Sequence, residues 1–548
     1  MDSRFGVPLN IRSRSADTHL IVEPVGGINV ADAPTDIAPS QSPSCDNMIF
    51  QDNAVLTRPG LTPKTTNHRP MTAGVPVLGG IEVTDVVGTT YPLISGRTQF
   101  AWYSNGSWSL LSYVAAYGVN AQPAAGATDY WDITQTYLDV QDENIAIAAN
   151  ESYQTLYCWE SGTTVFSTLT GAPMAKCIES FNNFVLAGNI QSGGSRYVQR
   201  VQWNDRGSAS SWTGGLAGFE DLLSMHGGIT RLMGQENRVV VMGEQEIWQG
   251  LPVDYPFLFS FQPLDRNVGC PYPWTAAVTP AGIFFLGHDL QVYWLSKSGG
   301  PAQPVGHRVH KFLRDNIDTP ERSWGVYSSI YNQYQLYFPA VGGAGYPERA
   351  VFLNVDTNAG AEAGAWAPQS FNFTDGTPQA LSRGFEAFNT SSSGTTWGGA
   401  GTLTWGAAAQ QWNQMGSASE ERAVFTGTSG GTMYFYAPQG RATGIFPVDA
   451  RWRSLAYAGF APERQKALTE IRIDYTADSN SSLTLRTSTD QGGTFDAGVA
   501  LNLPATSGMS QLRAFVYTTS RYPCWEVLSQ SAAYKLYRFW VSMRVTGR

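Results

Sequence analysis

Few residues of this chain have the types and spacing that chemistry needs. Ser488, Asp490, Gly492 and Thr494, followed by Phe495, form a serine-x-aspartate-x-glycine-x-threonine pattern. In that pattern the aspartate and glycines shape a β-hairpin turn, so it predicts a hairpin and no reaction. Glycoside hydrolysis needs two carboxyl groups ~5–10 Å apart. The sequence holds 44 acidic residues and singles out no such pair. Of six histidines, His307 and His310 alone lie close together, beside Arg308 and Lys311, and read as a solvated turn rather than as metal ligands. No GxxxxGK[ST] phosphate loop is present, and Gly193-Gly194-Ser195 and Gly299-Gly300 read as hairpin turns, not as a nucleophile elbow. Cys45, Cys158, Cys177, Cys270 and Cys524 are odd in number and include no CxxC pair, which predicts buried free thiols. The expectation is a chain without catalytic, cofactor or metal residues, and not an enzyme.

The elements around these residues follow from composition. Only 14% of the 548 residues are charged, 57 are glycine and 12% are aromatic. Aromatic and β-branched side chains suit a pleated surface, and Gly, Asn, Asp and Ser reverse the chain between short strands. The fold expected is all-β, with helix in short pieces such as 309–314. At ~100–200 residues per domain the length allows two to four domains. The net charge of −9 and pI near 5.3 oppose tight binding of nucleic acid, which requires phosphate neutralisation. The N-terminus lacks the apolar run of a leader, and no stretch of about 18 apolar residues occurs, so a soluble cytoplasmic product is expected.

Three textures divide the chain. In 76–440 a unit recurs in which an apolar strand meets a turn and a second strand ends in aromatics: 91–108, 145–159, 184–203, 239–248, 283–294, 330–352 and 424–436. Several adjacent intervals fall between 40 and 50 residues, the length of a four-stranded blade, which predicts a β-propeller of six or seven blades. Loops at 207–228, 354–377 and 390–414 interrupt it, and Trp397, Trp405 and Trp412 in the last are candidate interface anchors. After 441, alternation as in Glu470-Ile471-Arg472-Ile473 predicts a C-terminal β-sandwich or platform domain. Residues 1–75 read as an extended N-terminal arm, with Gly26, Gly27, Asn29, Asn47, Arg58, Pro59 and Gly60 as its marking positions. Glycine and proline keep this strip from becoming a helix, and its sparse apolar side chains predict that it gains order on another surface, such as a neighbouring subunit. Glu420-Glu421-Arg422 and Arg451-Trp452-Arg453 are candidates for ion pairs between subunits.

The run from Gly26 to Leu61, GGINVADAPTDIAPSQSPSCDNMIFQDNAVLTRPGL, resembles the N-terminal signature of tail proteins that form the tube or nozzle of short-tailed bacteriophages. Val201-Gln202-Trp203-Asn204, Ser211-Trp212, Glu246-Ile247-Trp248, Asn267-Val268-Gly269-Cys270-Pro271, Gly282-Ile283-Phe284-Phe285-Leu286 and Pro304-Val305-Gly306 follow in the order those proteins show. The resemblance implies a structural virion protein of the tail, made in the bacterial cytoplasm and arranged as a ring, by analogy a hexamer. It further implies partners: other copies of itself, the portal and adaptor ring, a tail needle or plug, and fibres or spikes. DNA would pass through the ring without specific binding.

The alternative reading is a carbohydrate-binding or sialidase-like propeller, a host-surface lectin or depolymerase. It rests on the turn at Ser488–Thr494, which is similar to the Asp-box of sialidases, and on an expectation of exposed tryptophans. The turn occurs once, and no Phe/Tyr-Arg-Ile-Pro motif accompanies it.

Overall fold

Alternating apolar residues and turn formers do produce an almost wholly β architecture. The computed structural model describes residues 18–546 except 52, 59, 64–70, 72–75, 105–106, 115–122, 124–128, 139–141, 256, 330, 344, 356–364, 372–380, 386–423, 428–432, 437–447, 460–461 and 531–533. These residues form two compact units, one from 58–448 and the other from the two ends of the chain, 18–57 with 449–546.

The larger unit is a β-propeller of seven blades. The first blade is Gly79–Thr84, Thr90–Ser95, Phe100–Ser104 and Ser107–Leu110. Blade two is Trp131–Leu138, Glu143–Asn150, Tyr157–Glu160 and Val165–Thr168, with Ser112–Val114 added in parallel on its outer side. Blades three to six start with Met174–Phe181, Ile229–Gln235, Ala277–Thr279 and Trp324–Ser328 and are simple antiparallel meanders. Blade seven takes Leu381–Phe385, Val424–Gly427 and Met433–Tyr436 and is completed by Leu61–Pro63 from far upstream, in the register Tyr436↔Leu61. Its first strand lies against that of blade one, which closes the circle. Gly80 permits this: a Cβ there would stand 2.3 Å from the Phe385 ring.

The apolar cores lie between blades. Trp203, Phe184, Leu232, Val241 and Phe259 join blades three and four, and Met233, Met242, Ile283, Phe285 and Leu295 join four and five. The short helix falls at His307–Asn316, longer at both ends than expected, and His310 lies within hydrogen-bond distance of the Asp289 carbonyl, at 2.9 Å.

The smaller unit is a sandwich. One sheet runs Met48–Gln51, Ala54–Thr57, Tyr534–Thr546, Gln465–Ala477, Ser510–Ser520, with Thr18–Val22 also on Tyr534–Thr546. The other runs Cys45–Asp46, Ala450–Arg453, Cys524–Ser529, Ser481–Ser488, Val499–Leu503. Trp452 of the second sheet stacks on Phe539 of the first, with centroids 5.2 Å apart and planes 12° from parallel.

Two expectations are corrected here. The division 1–75, 76–440, 441–548 gives way to one in which the N-terminal strip has no unit of its own: its strands pair with C-terminal strands up to Thr57 and enter blade seven after it. The strip is indeed extended and turn-rich, but its order comes from its own chain. Asn29 donates from Nδ2 to Asp32 and Gln41 and accepts on Oδ1 from the Ala31 and Asp32 amides. The amide of Gly26 donates to the Ser40 carbonyl, and a Cβ on Gly26 would meet Gln41 and Ser40 within 2.9 Å. Gly27 and Asn47 have φ of 71° and 55°, and Asn47 donates to the Asp449 carbonyl at 2.9 Å. Arg58 is buried, donates to the Ser370 carbonyl and lies 4.4 Å from the centre of the Phe371 ring. Gly60 is buried, and Pro59 lies outside the described residues.

Candidate functional site on the propeller axis

Every blade starts its first strand at the axis, so residues that open those strands converge there. Tyr130 and Asp132 open blade two, Arg231 blade four and Arg383 blade seven, while Trp274 and Arg322 sit in short 3₁₀ turns just before blades five and six. The Tyr130 and Trp274 rings meet with centroids 5.6 Å apart. The Arg383 guanidinium lies 5.1 Å from the first ring centre and 4.9 Å from the second, and Arg231 lies 5.2 Å from the Trp274 centre. Tyr130 donates its hydroxyl toward the carbonyls of Arg322 and Ser382, at 2.9 and 3.3 Å. Trp274 donates its indole N–H to Glu151 of blade two at 2.7 Å. Contacts from blade two to blades five and six must cross the axis, so this end of it is filled by aromatic rings and guanidinium groups. Tyr130 and Trp274 are each 3% exposed.

Around this plug polar side chains strap neighbouring first strands together. Asp132 accepts the Ile178 amide at 3.0 Å and Thr134 the Ser180 amide at 3.1 Å, tying blade two to blade three. Glu179 accepts the amide of Ser180 and, from blade four, that of Gly234. Arg231 donates to the carbonyls of Pro273 and Ala276. These straps satisfy buried backbone groups that would otherwise be unpaired.

Burial sets the acidity here. It pushes the Glu179 carboxyl up to about 7, with the Asp132 charge adding to it. It also raises Asp132 and Glu151, against the pull of Arg231 on the first and of Lys176 on the second. Burial brings Arg383 down to about 10, and the charge of Arg231 pushes the same way. Glu179 therefore keeps its proton to higher pH than a free carboxyl does. Sequence reasoning missed this site, because its members are scattered over 250 positions and no spacing links them.

The residues that sequence did nominate lie elsewhere. Trp397, Trp405, Trp412 and Glu420-Glu421-Arg422 fall outside the described residues. Arg453 pairs with Glu526 of its own chain at 3.3 Å. Trp203, Trp212 and Trp248 are buried and donate to Leu216, Ala209 and Glu246. Ser488–Thr494 forms the expected turn between paired strands: Thr494 donates from its amide and hydroxyl to Asp490, and these bonds with that of Ser488 hold the Asp490 carboxyl down at about 2. All five cysteines are free thiols.

No family model and no curated protein matches the chain. Solved structures do. An exo-β-1,3-galactanase from Phanerochaete chrysosporium with bound β-1,3-galactotriose is 8% identical, over 89% of this chain and 99% of that one, with a TM-score of 0.27. The Pan2 WD40 domain of Neurospora crassa is 7% identical over 71% and 98%, with a TM-score of 0.35. A family 43 arabinoxylan arabinofuranohydrolase from Bacillus subtilis, in complex with cellotetraose, is 11% identical over 89% and 97%, with a TM-score of 0.22. With glycoside hydrolases among these neighbours, the expectation that the chain is not an enzyme is withdrawn. At such identities and TM-scores the likeness puts no activity in its place.

Proposed function

We propose that the chain is a ring-forming subunit of a short bacteriophage tail, a nozzle that extends the portal and adaptor channel and on which needle and fibres dock. What supports this reading is the ordered series of nozzle-like motifs from Gly26 to Gly306, which supplies strands and buried residues to both compact units. The plugged axis adds a constraint. DNA would pass between subunits, through the lumen of the ring, and not through a propeller. A net charge of −9 suits a lumen across which DNA slides without being held.

The carbohydrate reading loses its main premise. Among the described residues the exposed large apolar side chains include no tryptophan, and Trp102, Trp131, Trp159, Trp274, Trp324 and Trp366 are buried.

Native mass spectrometry of the chain mixed with portal–adaptor complexes tests the proposal. A defined multiple of subunits added to each complex supports it; complexes of unchanged mass at micromolar concentrations of the chain overturn it.

A further inference from the structure

The longest open strand edge among the described residues is Ser510–Ser520, 11 residues at the end of the larger sandwich sheet. Exposed edges invite pairing with another chain, and proteins usually blunt them by shortness, proline, lysine or bulges. This strand has neither proline nor lysine, and it carries one bulge, where Val516 and Tyr517 together stand opposite Thr469 of Gln465–Ala477. The outer strands of the blades are shorter, seven residues at most, in Phe259–Asp265.

Its solvent face carries two exposed aromatic rings among polar side chains. Residues alternate so that Ala514 and Val516 point into the sandwich while Gln511, Arg513, Phe515, Tyr517 and Thr519 point out. Phe515 is 63% exposed and Tyr517 87%. The ions beside them are already paired: Glu470 holds Arg472 at 3.1 Å and Arg513 at 3.7 Å, and Asp474 accepts from Gln511 and Trp540. A face whose charges neutralise one another offers nothing to a phosphate backbone and little resistance to desolvation by protein.

We infer that Ser510–Ser520 pairs antiparallel with the same strand of a second copy of this chain, about a two-fold axis at Phe515. The sequence of the strand is complementary to itself in that register. Phe515 faces its own copy, Arg513 lies opposite Tyr517, where a guanidinium meets an aromatic ring, and Gln511 lies opposite Thr519. On the inner face Ala514 meets Val516. No like charges oppose each other. Because the axis is perpendicular to the sheet, the two six-stranded sheets become one continuous sheet with the aromatic faces on the same side. This contact goes beyond the ring reading and does not depend on it.

The test uses the full chain. Phe515→Cys under mild oxidation gives a disulfide-linked dimer on a non-reducing gel, whereas wild type, with its own five cysteines, does not. Gln511→Cys and Thr519→Cys crosslink when mixed and not when alone. By native mass the wild type dimerises, and Phe515→Lys, which sets two like charges face to face, raises the dissociation constant by roughly tenfold or more, while the melting temperature read at concentrations where both proteins are monomeric is unchanged. A wild type that stays monomeric up to about 100 μM, or a Phe515→Cys variant that crosslinks no better than Ser482→Cys on the other sheet, overturns the inference. A ring that assembles on portal–adaptor complexes while position 515 stays uncrosslinked overturns this contact and leaves the ring standing.

Discussion

The indole N–H of Trp274, which precedes blade five, donates at 2.7 Å to the Glu151 carboxylate of blade two, on the opposite side of the propeller axis. A bond between non-adjacent blades is possible only if the axis is filled at that level. Trp274→Ala removes a buried ring, its bond to Glu151 and its contacts with Tyr130, Arg231 and Arg383. The expected loss is about 3–5 kcal/mol, as for large-to-small changes in a core. Trp274→Phe keeps most of the ring and loses the hydrogen bond, at about 1–3 kcal/mol because Glu151 is left without that donor. Chemical denaturation of both variants measures the difference; equal and negligible losses contradict a filled axis.

Acidity at the axis gives a second prediction. The Glu179 carboxyl stands at about 7 when folded, against a value near 4.5 when free. The native state therefore binds more protons than the unfolded one between those two values. Stability contributed by this group is complete below pH 4.5 and falls as pH rises to about 7, by roughly 3 kcal/mol across the window. Glu179→Gln, which cannot titrate, should flatten the slope of stability against pH between 5 and 7.5 relative to wild type. Parallel pH profiles for the two proteins would show that Glu179 is not held protonated.

Close approach between blades five and six rests on Gly325. A Cβ there would stand 2.2 Å from the Thr275 carbonyl oxygen, a backbone atom that also accepts the Tyr334 hydroxyl at 2.8 Å. Neither the strand of Gly325 nor the 3₁₀ turn of Thr275 can yield without disturbing its blade, so Gly325→Ala should cost about 1–3 kcal/mol, read as a lower melting temperature. Gly508→Ala, where a Cβ meets nothing within 4 Å, serves as the control and should change little.

Thiol labelling probes the packing directly. Burial raises all five thiols, Cys524 to about 11 and Cys270 to about 12. At pH 8 the native chain should expose no more than Cys158, the one cysteine that is only half-buried, to a disulfide reagent, and all five after unfolding. Rapid reaction of Cys177 or Cys270 in the native state would contradict the cores between blades.

Much of the fold was legible because local pattern and blade geometry agree. The seven recurring segments, from Tyr91–Trp108 to Val424–Tyr436, fall one in each blade, mostly on its second and third strands, where burial on both faces produces the apolar runs that periodicity detects. The strand Leu61–Pro63 was not legible as part of a blade, since three residues carry no period and their partners lie more than 370 positions away. The arm failed for a related reason. Its few apolar residues did imply an external surface, but nothing local to Met48–Gln51 or Ala54–Thr57 says that the surface is the end of the same chain. The axial site was invisible because it is made by closure of the circle, which brings Tyr130 to Ser382 across 252 positions.

In the proposed ring, the lumen and not a propeller axis carries DNA. Cryo-electron microscopy of tails held on their capsids tests it most directly. The expected result is a closed ring of copies of this chain below the adaptor, with DNA density between subunits and continuous protein density across each propeller axis. Particles in which the chain lies off the tail axis, or in which DNA density threads a propeller, would contradict it.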